Sequence, residues 1–243
     1  MHANQCKSPV TSQSRFYGRR TARPLRPAAR LRMQAMMPSL ALPLSTRFDS
    51  PKTLFPNPAH ALRVEIGYGA GEYLARQAEQ YPDTGFIGIE PFADGQARLL
   101  ALIEAKKLCN IRLFNHMAQD LLPHLPAFCL DQIDINYPDP WPKTRHHRRR
   151  LIQPDMIATF AHLLKPGGLL QIVTDHQGYA HWILQLMDRA HQWFDWLAWQ
   201  PTDWQTPPAD WIQTRYETKA LTQGLKPFYL RYRRTKAPGA GFA

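Results

Sequence analysis

Asp139 is the carboxylate around which this chain's chemistry gathers. It sits in the run Pro138-Asp139-Pro140-Trp141-Pro142-Lys143-Thr144-Arg145-His146-His147-Arg148-Arg149-Arg150, which holds three prolines, one tryptophan and five Lys/Arg side chains. The prolines deny the segment helix and ladder hydrogen bonds and keep it stiff. A plain solvated turn uses an aspartate and one proline. It needs neither a tryptophan nor five cations. An acid beside a large aromatic and a row of cations suits a loop that meets RNA, with the cations facing phosphates and Trp141 either stacking on a base or anchoring the loop.

The elements that would position this loop are readable on both sides of it. Residues 133–137 form an apolar run of strand type, and residues 151–164 carry helix-period apolar positions at Ile152, Met156, Phe160, Leu163 and Leu164. The loop therefore lies at the carboxyl end of a strand, where open α/β sheets hold their ligands. Upstream, a strand at 62–66 runs into Gly67-Tyr68-Gly69-Ala70-Gly71 and a helix at 72–81. A second strand, 85–90, ends in Glu90. A helix at 93–107, a strand at 111–115 and a short helical segment near Gln119 follow. Downstream, Lys165-Pro166-Gly167-Gly168 reads as a helix stop, with a strand at 169–174 ending at Asp175. A helix at 178–190, a sixth strand within 193–208, a helical stretch after Thr214-Arg215-Tyr216-Glu217 and a last strand at 227–233 complete the series. Alternating strands and helices predict a three-layer α/β fold with a mostly parallel sheet.

Strand, glycine loop and helix in succession suit a nucleotide-like ligand, since glycines let the backbone approach it closely. The spacing here is G-x-G-x-G after an acidic residue, Glu65. The dinucleotide fingerprint is G-x-G-x-x-G, and its pyrophosphate would be repelled by that acid. S-adenosyl-L-methionine carries a sulfonium and an ammonium, so it suits Glu65 better. Glu90 lies at the distance along the chain that suits bonds to ribose hydroxyls.

The 44% hydrophobic content fits a globular protein, and no apolar run approaches the ~18 residues of a membrane span. Cys6, Cys109 and Cys129 form no C-x-x-C pair, and the ten histidines show no H-E-x-x-H pattern. The expectation is a cytoplasmic protein with reduced thiols and no metal. Before Asp49 the chain has nine Lys/Arg and no acid; from Asp49 onward it has 21 basic and 19 acidic residues. Residues 1–58, rich in Pro and Arg, read as a disordered leader, and 59–243 as the catalytic domain. A cationic leader and a basic loop on a nearly neutral body suit a polyanion partner.

These pieces resemble the bacterial tRNA (guanine-N7-)-methyltransferase family. The resemblance rests on Val64-Glu65-Ile66-Gly67-Tyr68-Gly69-Ala70-Gly71-Glu72, Gly88-Ile89-Glu90, Pro138-Asp139-Pro140-Trp141-Pro142-Lys143 with its Arg/His tail, Leu164-Lys165-Pro166-Gly167-Gly168, Thr174-Asp175, Tyr179-Ala180, and Thr214-Arg215-Tyr216-Glu217 with Gly224. It covers residues 62–234 in the family's order. It implies a Rossmann-like seven-stranded methyltransferase fold and methyl transfer from S-adenosylmethionine to N7 of a guanosine in the tRNA variable loop. It implies donor binding by Glu65, Gly67, Gly69, Gly71, Glu90 and Asp139, with Asp139 also catalytic, and by the turn holding Asn115 and Met117. Lys143, Asp175, Thr214, Arg215, Tyr216 and Glu217 are implied as substrate-binding positions. Arg145, His146, His147, Arg148, Arg149 and Arg150 are implied as the RNA-contacting stretch. The chain departs from the family at Met117, where an aspartate is usual in the adenine-binding turn.

The implied chemistry needs no general base, because guanine N7 has a lone pair and no proton. Three readings compete with it. A dehydrogenase would bind nicotinamide. A non-catalytic RNA-binding module would bind tRNA and transfer nothing. A methyltransferase for another RNA or a small molecule would label a different product. The sequence selects neither a monomer nor a homodimer.

Overall fold

The computed structural model describes residues 24–44 and 47–236. Seven strands build one sheet: β1 Ala61–Ile66, β2 Thr84–Ile89, β3 Ile111–Phe114, β4 Leu130–Asn136, β5 Leu164–Thr174, β6 Phe194–Trp196 and β7 Phe228–Arg234. Their order is β3-β2-β1-β4-β5-β7-β6. The first five run parallel, and β7 pairs antiparallel with both β5 and β6. A parallel sheet must be covered on both faces, and β2 is accordingly buried along its whole length.

The helices are α1 Pro27–Leu40, α2 Glu72–Gln80, α3 Ala93–Lys106, α4 Ala118–Leu121, α5 Pro154–Leu163, α6 Gln177–Asp188, α7 Thr202–Gln205 and α8 Arg215–Thr222. One apolar core joins α4, α5 and α6 to Leu62, Val64, Ile133, Ile135, Leu170 and Ile172. A second joins α2 and α3 to Phe86, Ile111 and Leu113. Strand order reverses between β1 and β4, so the crevice at their carboxyl ends is the natural ligand position. Among the described residues no helix is long and apolar enough to cross a membrane.

Two expectations differ from the structure. The first concerns the leader. From Pro27 to Leu40 the chain is helical, and Met33, Met36, Met37 and Leu40 pack against the second core. That spacing is i, i+3, i+4, i+7, one helical face. Arg32 pairs with Glu104 at 2.7 Å, and Leu42 N–H donates to the Leu113 carbonyl at 2.7 Å, so the segment covers the β3 edge. Residues 1–23 lie outside the described residues.

The second concerns the ends of α5. The helix starts at Pro154 rather than residue 151, with proline at its first position, where the missing N–H costs nothing. It ends at Leu163, and β5 begins at once, carrying Lys165 to Gly168 as strand. The register shift between Leu130 and Gln132 absorbs that irregular stretch, with Gly167 at φ 85.

Candidate active site

A cavity of about 310 Å³ opens at the β1/β4 reversal. Ile66 and Gly67 leave β1, Glu90 leaves β2, Met117 to Gln119 follow β3, and Asn136 to Asp139 leave β4; Trp141 and Arg149 close the side. Parallel strands bring their carboxyl ends to one edge, which is why four loops from distant sequence positions meet here.

The glycine loop is built on positive φ at Gly67 (75), Gly69 (52) and Gly71 (75). A Cβ on Gly71 would stand 2.7 Å from Leu99, so this glycine lets the loop dock on α3. Beside Gly67 and Gly69 the corresponding space is open. Glu90 ties the loop to its own strand: Gly69 N–H donates to one carboxylate oxygen at 2.9 Å and Phe92 N–H to the other at 3.0 Å. Each oxygen keeps acceptor capacity for a further hydroxyl. Burial raises the Glu90 pKa, against the lowering effect of the two N–H groups.

Glu65 lies just behind the cavity and is 3% exposed. Asn136 Nδ2 donates to its Oε1 at 3.2 Å, while Oε2 is buried without a hydrogen-bond partner. A buried lone carboxylate oxygen next to a cavity is costly unless a ligand completes it. A cationic ligand with a ribose would meet Glu65, Glu90 and the open glycine backbone, so these residues fit S-adenosylmethionine. Asn115, in contrast, is exposed and outside the cavity lining. Met117 lines the cavity, and its backbone N–H donates to Asp120 at 3.3 Å at the start of α4.

The proline loop leaves β4 through Tyr137 at φ 54 and reaches Trp141 at φ 41. Non-glycine residues rarely adopt such φ values, and here they turn the chain back over the cavity. Asp139 stands exposed at the rim, and desolvation by the surrounding loop raises its pKa. The Arg149 guanidinium lies 5.0 Å from the Trp141 ring centroid, and His146 meets the same ring edge-on at 5.8 Å. Residues 144–149 form a 3-10 turn.

The basic stretch divides into two groups. Lys143, Arg145 and Arg148 are exposed, whereas His146, His147 and Arg149 are half-buried. Desolvation, together with Arg149, Arg145, Lys143 and Arg148, lowers the His146 pKa. His147 packs on Trp182 at 5.5 Å. Arg150 corrects the expected RNA-facing run. It is 4% exposed, donates to the Pro140 carbonyl at 2.9 Å and lies 5.0 Å from the rings of both Tyr179 and Trp182. It pins the proline loop to α6 from beneath.

Next to Tyr137, which lines the cavity, stand α8 and the end of β5. Tyr216 OH donates to Asp175 Oδ2 at 3.2 Å, and its ring lies 4.8 Å from Tyr137. Thr214 caps α8, accepting the Glu217 N–H at 3.2 Å. Arg215 pairs with Glu72 at 2.9 Å. Glu217 departs from the expected substrate-binding role. It is 2% exposed, with Trp211 Nε1 donating to Oε2 at 2.7 Å and the Tyr229 hydroxyl donating to Oε1. Both oxygens are engaged by the protein, so Glu217 holds α8 against β7.

The structure thus gathers Gly67, Glu90, Met117 and Asp139 around one cavity. Glu65 lies behind it, and Lys143, Arg145, Arg148, Asp175 and Tyr216 belong to the segments flanking its mouth. Sequence reasoning passed over Phe92, which lines the cavity, whereas Asn136 and Tyr137 begin the stretch that it reads as the active-site loop, and Trp211, which anchors Glu217, has the packing role expected of the tryptophans in that region.

A family model described as "Putative methyltransferase" matches residues 59–230. The tRNA (guanine-N(7)-)-methyltransferase of Rhodospirillum rubrum is 46% identical over 92% of this chain and 89% of its own. The protein of the same name from Rhizobium meliloti is 44% identical over 90% of this chain and 94% of its own. Among solved structures, the 16S rRNA methyltransferase KamB superposes with a TM-score of 0.51 at 14% identity, over 73% of this chain and 89% of its own. That likeness concerns the fold.

Proposed function

The chain belongs to the tRNA (guanine-N(7)-)-methyltransferase family, and from that premise we propose that it methylates N7 of a guanosine in the tRNA variable loop, with Asp139 as the catalytic carboxylate. The observation that carries this reading to residues is the cavity itself, whose lining runs from Gly67 and Glu90 to Asp139 and Trp141. S-adenosylmethionine, held by Glu65, Glu90 and the glycine backbone, supplies an activated methyl group.

The protein's task is alignment and electrostatics. Guanine N7 brings its own lone pair, so no side chain has to remove a proton. The purine becomes cationic as N7 gains its substituent, and Asp139 at the rim offers a negative charge to that developing charge. Tyr216 and Asp175 receive the base edge. One Asp175 oxygen is engaged by Tyr216, and the other is the acceptor for a guanine N–H. Trp141 and the prolines narrow the cavity and displace water from the reacting atoms.

Lys143, Arg145 and Arg148 meet tRNA phosphates. The cations Lys7, Arg15, Arg19, Arg20 and Arg23 serve the same polyanion. The catalytic domain spans residues 59–243, and the reaction takes place in the cytoplasm, where Cys109 and Cys129 stay as free thiols.

A tRNA transcript carrying 7-deazaguanosine tests the target atom. It keeps the base's hydrogen-bonding edge and replaces N7 with C–H. Binding with no methyl transfer is expected, while the ordinary transcript is methylated. Transfer to the deaza transcript would place the chemistry at another atom.

A further inference from the structure

Under α2 one row of side chains crosses the sheet. Backbone register aligns Gly88 on β2, Glu65 on β1, Asp134 on β4, Gln171 on β5 and Arg231 on β7. Residues in register share a face, and neighbouring strands lie about 4.8 Å apart. Glu65 and Asp134 are therefore adjacent in this row, each 3% exposed. Arg231 stands three strands from Glu65, roughly 14 Å away.

The two acids are not equally supplied. Asp134 Oδ1 accepts from Gln132 Nε2 at 2.8 Å, Gln171 Nε2 at 3.1 Å and Tyr73 OH at 3.4 Å. Glu65 receives one amide at 3.2 Å, and its second oxygen has no partner. The groups around the pair do not change that balance. Glu90 acts on Glu65 from the end of β2, Tyr68 from the glycine loop and Tyr73 from α2, while Asp210 acts on Asp134 from the loop before α8. Arg63, on β1, bonds Gln77 at 3.1 Å and lies 4.6 Å from the Tyr81 ring, and its charge lowers the Asp134 pKa, which favours the charge on Asp134. Among the described residues no cation bonds Glu65.

Two neighbouring carboxylates in a dry seam do not both ionise readily. Asp134, with three donors, keeps the charge, and Glu65 keeps the proton. Burial and then Asp134 push Glu65 up to about 8, while burial pushes Asp134 up to about 6, the same order.

We propose that this site exchanges a proton for its ligand's cation: Glu65 is a neutral acid in the ligand-free protein, and a positively charged group seated opposite Oε2 takes the place of its proton, with Asp134 as the positioning residue that holds the proton there beforehand. The inference rests on the reading of the cavity as the S-adenosylmethionine site. The Glu65 O–H bond breaks, its proton passes to bulk buffer, and the ligand's positive charge balances the carboxylate left behind. Because binding releases a proton, donor affinity rises with pH, by close to tenfold (~1 log unit) between pH 6 and pH 7.

Calorimetry on the full chain at pH 7, in two buffers of different ionisation enthalpy, reads the released proton directly. The probes are S-adenosylmethionine, S-adenosylhomocysteine and adenosine. Release of nearly one proton with S-adenosylmethionine and none with adenosine is expected. Release with S-adenosylhomocysteine as well assigns the ammonium as the cation; release with S-adenosylmethionine alone assigns the sulfonium. Glu65→Gln should bind without release. Asp134→Asn should release less than the wild type, because one of the two causes that hold the proton on Glu65, the neighbouring charge, is then gone while burial remains. Heats of S-adenosylmethionine binding that do not depend on buffer overturn the proposal, as does release that persists in Glu65→Gln. Failure of all three probes to bind would overturn the donor-site reading, and this inference with it.

Discussion

Tyr216 and Tyr137 stand with ring centroids 4.8 Å apart, joining α8 to the end of β4 beside the cavity. The Tyr216 hydroxyl also reaches Asp175 at the end of β5. One exposed side chain thus links three elements at the point where a base must enter. Tyr216→Phe keeps the ring packing and removes one hydrogen bond, so kcat/KM for tRNA should fall about 2- to 12-fold, the equivalent of about 0.5–1.5 kcal/mol. Tyr216→Ala should cost more, chiefly through KM. Steady-state kinetics with tRNA as the varied substrate separates the two. Equal behaviour of both variants and the wild type would remove Tyr216 from the site.

Asp139→Asn keeps the shape of the proline loop and removes its negative charge. If that charge stabilises the developing cation, single-turnover transfer should fall by about 10²–10³. Near-ultraviolet dichroism should remain close to wild type, since Asp139 stands at the rim rather than in the core. A variant that transfers at the wild-type rate would show that Asp139 is only a turn residue.

The basic stretch should separate into binding and structural members. Removing Arg145 or Arg148 should weaken tRNA binding and lower the slope of log affinity against log salt by about 0.7–0.9 for each phosphate no longer neutralised. Arg150→Ala should leave that slope unchanged. It removes a charge-assisted hydrogen bond to Pro140 and the packing of the guanidinium on two rings, so it should destabilise the fold by ~2–3 kcal/mol. Salt titrations of tRNA binding and denaturant melts read the two effects independently.

Met117 offers a test in the opposite direction. It lines the cavity and presents a thioether rather than a carboxylate. Met117→Asp supplies an acceptor for an amino group and should tighten S-adenosylmethionine binding by roughly 2- to 12-fold, the worth of one hydrogen bond. Titration calorimetry decides it. Weaker binding would mean that the methionine thioether packs on the ligand and that aspartate cannot replace that packing.

What could be read in the sequence was what is local. Strands β1 to β3 are short and mostly apolar, the glycine loop follows β1 directly, and the prolines around Asp139 are stiff by covalent structure. Helix α1 was legible in principle, since Met33, Met36, Met37 and Leu40 lie on one helical face, but Pro38 and the surrounding arginines made the stretch look unfolded. Arg150 and Glu217 misled for a different reason. A charged residue within a polar motif reads as solvated, and only the fold reveals that Tyr179 and Trp182 enclose the one and Trp211 and Tyr229 hold the other. The pairing of Glu65 with Asp134 depends on register between strands 69 residues apart, information that no local pattern contains. Strand β5 runs through Lys165 to Gly168 because β4 offers a shifted register there, which is again a tertiary effect.

The most direct measurement is methyl transfer from labelled S-adenosylmethionine to unmodified tRNA by the full chain, followed by nuclease digestion and nucleoside chromatography. The account predicts that the label elutes with 7-methylguanosine and that Asp139→Asn abolishes most of it. Label in any other nucleoside, or tRNA bound without transfer by a chain that also binds the donor, would contradict it.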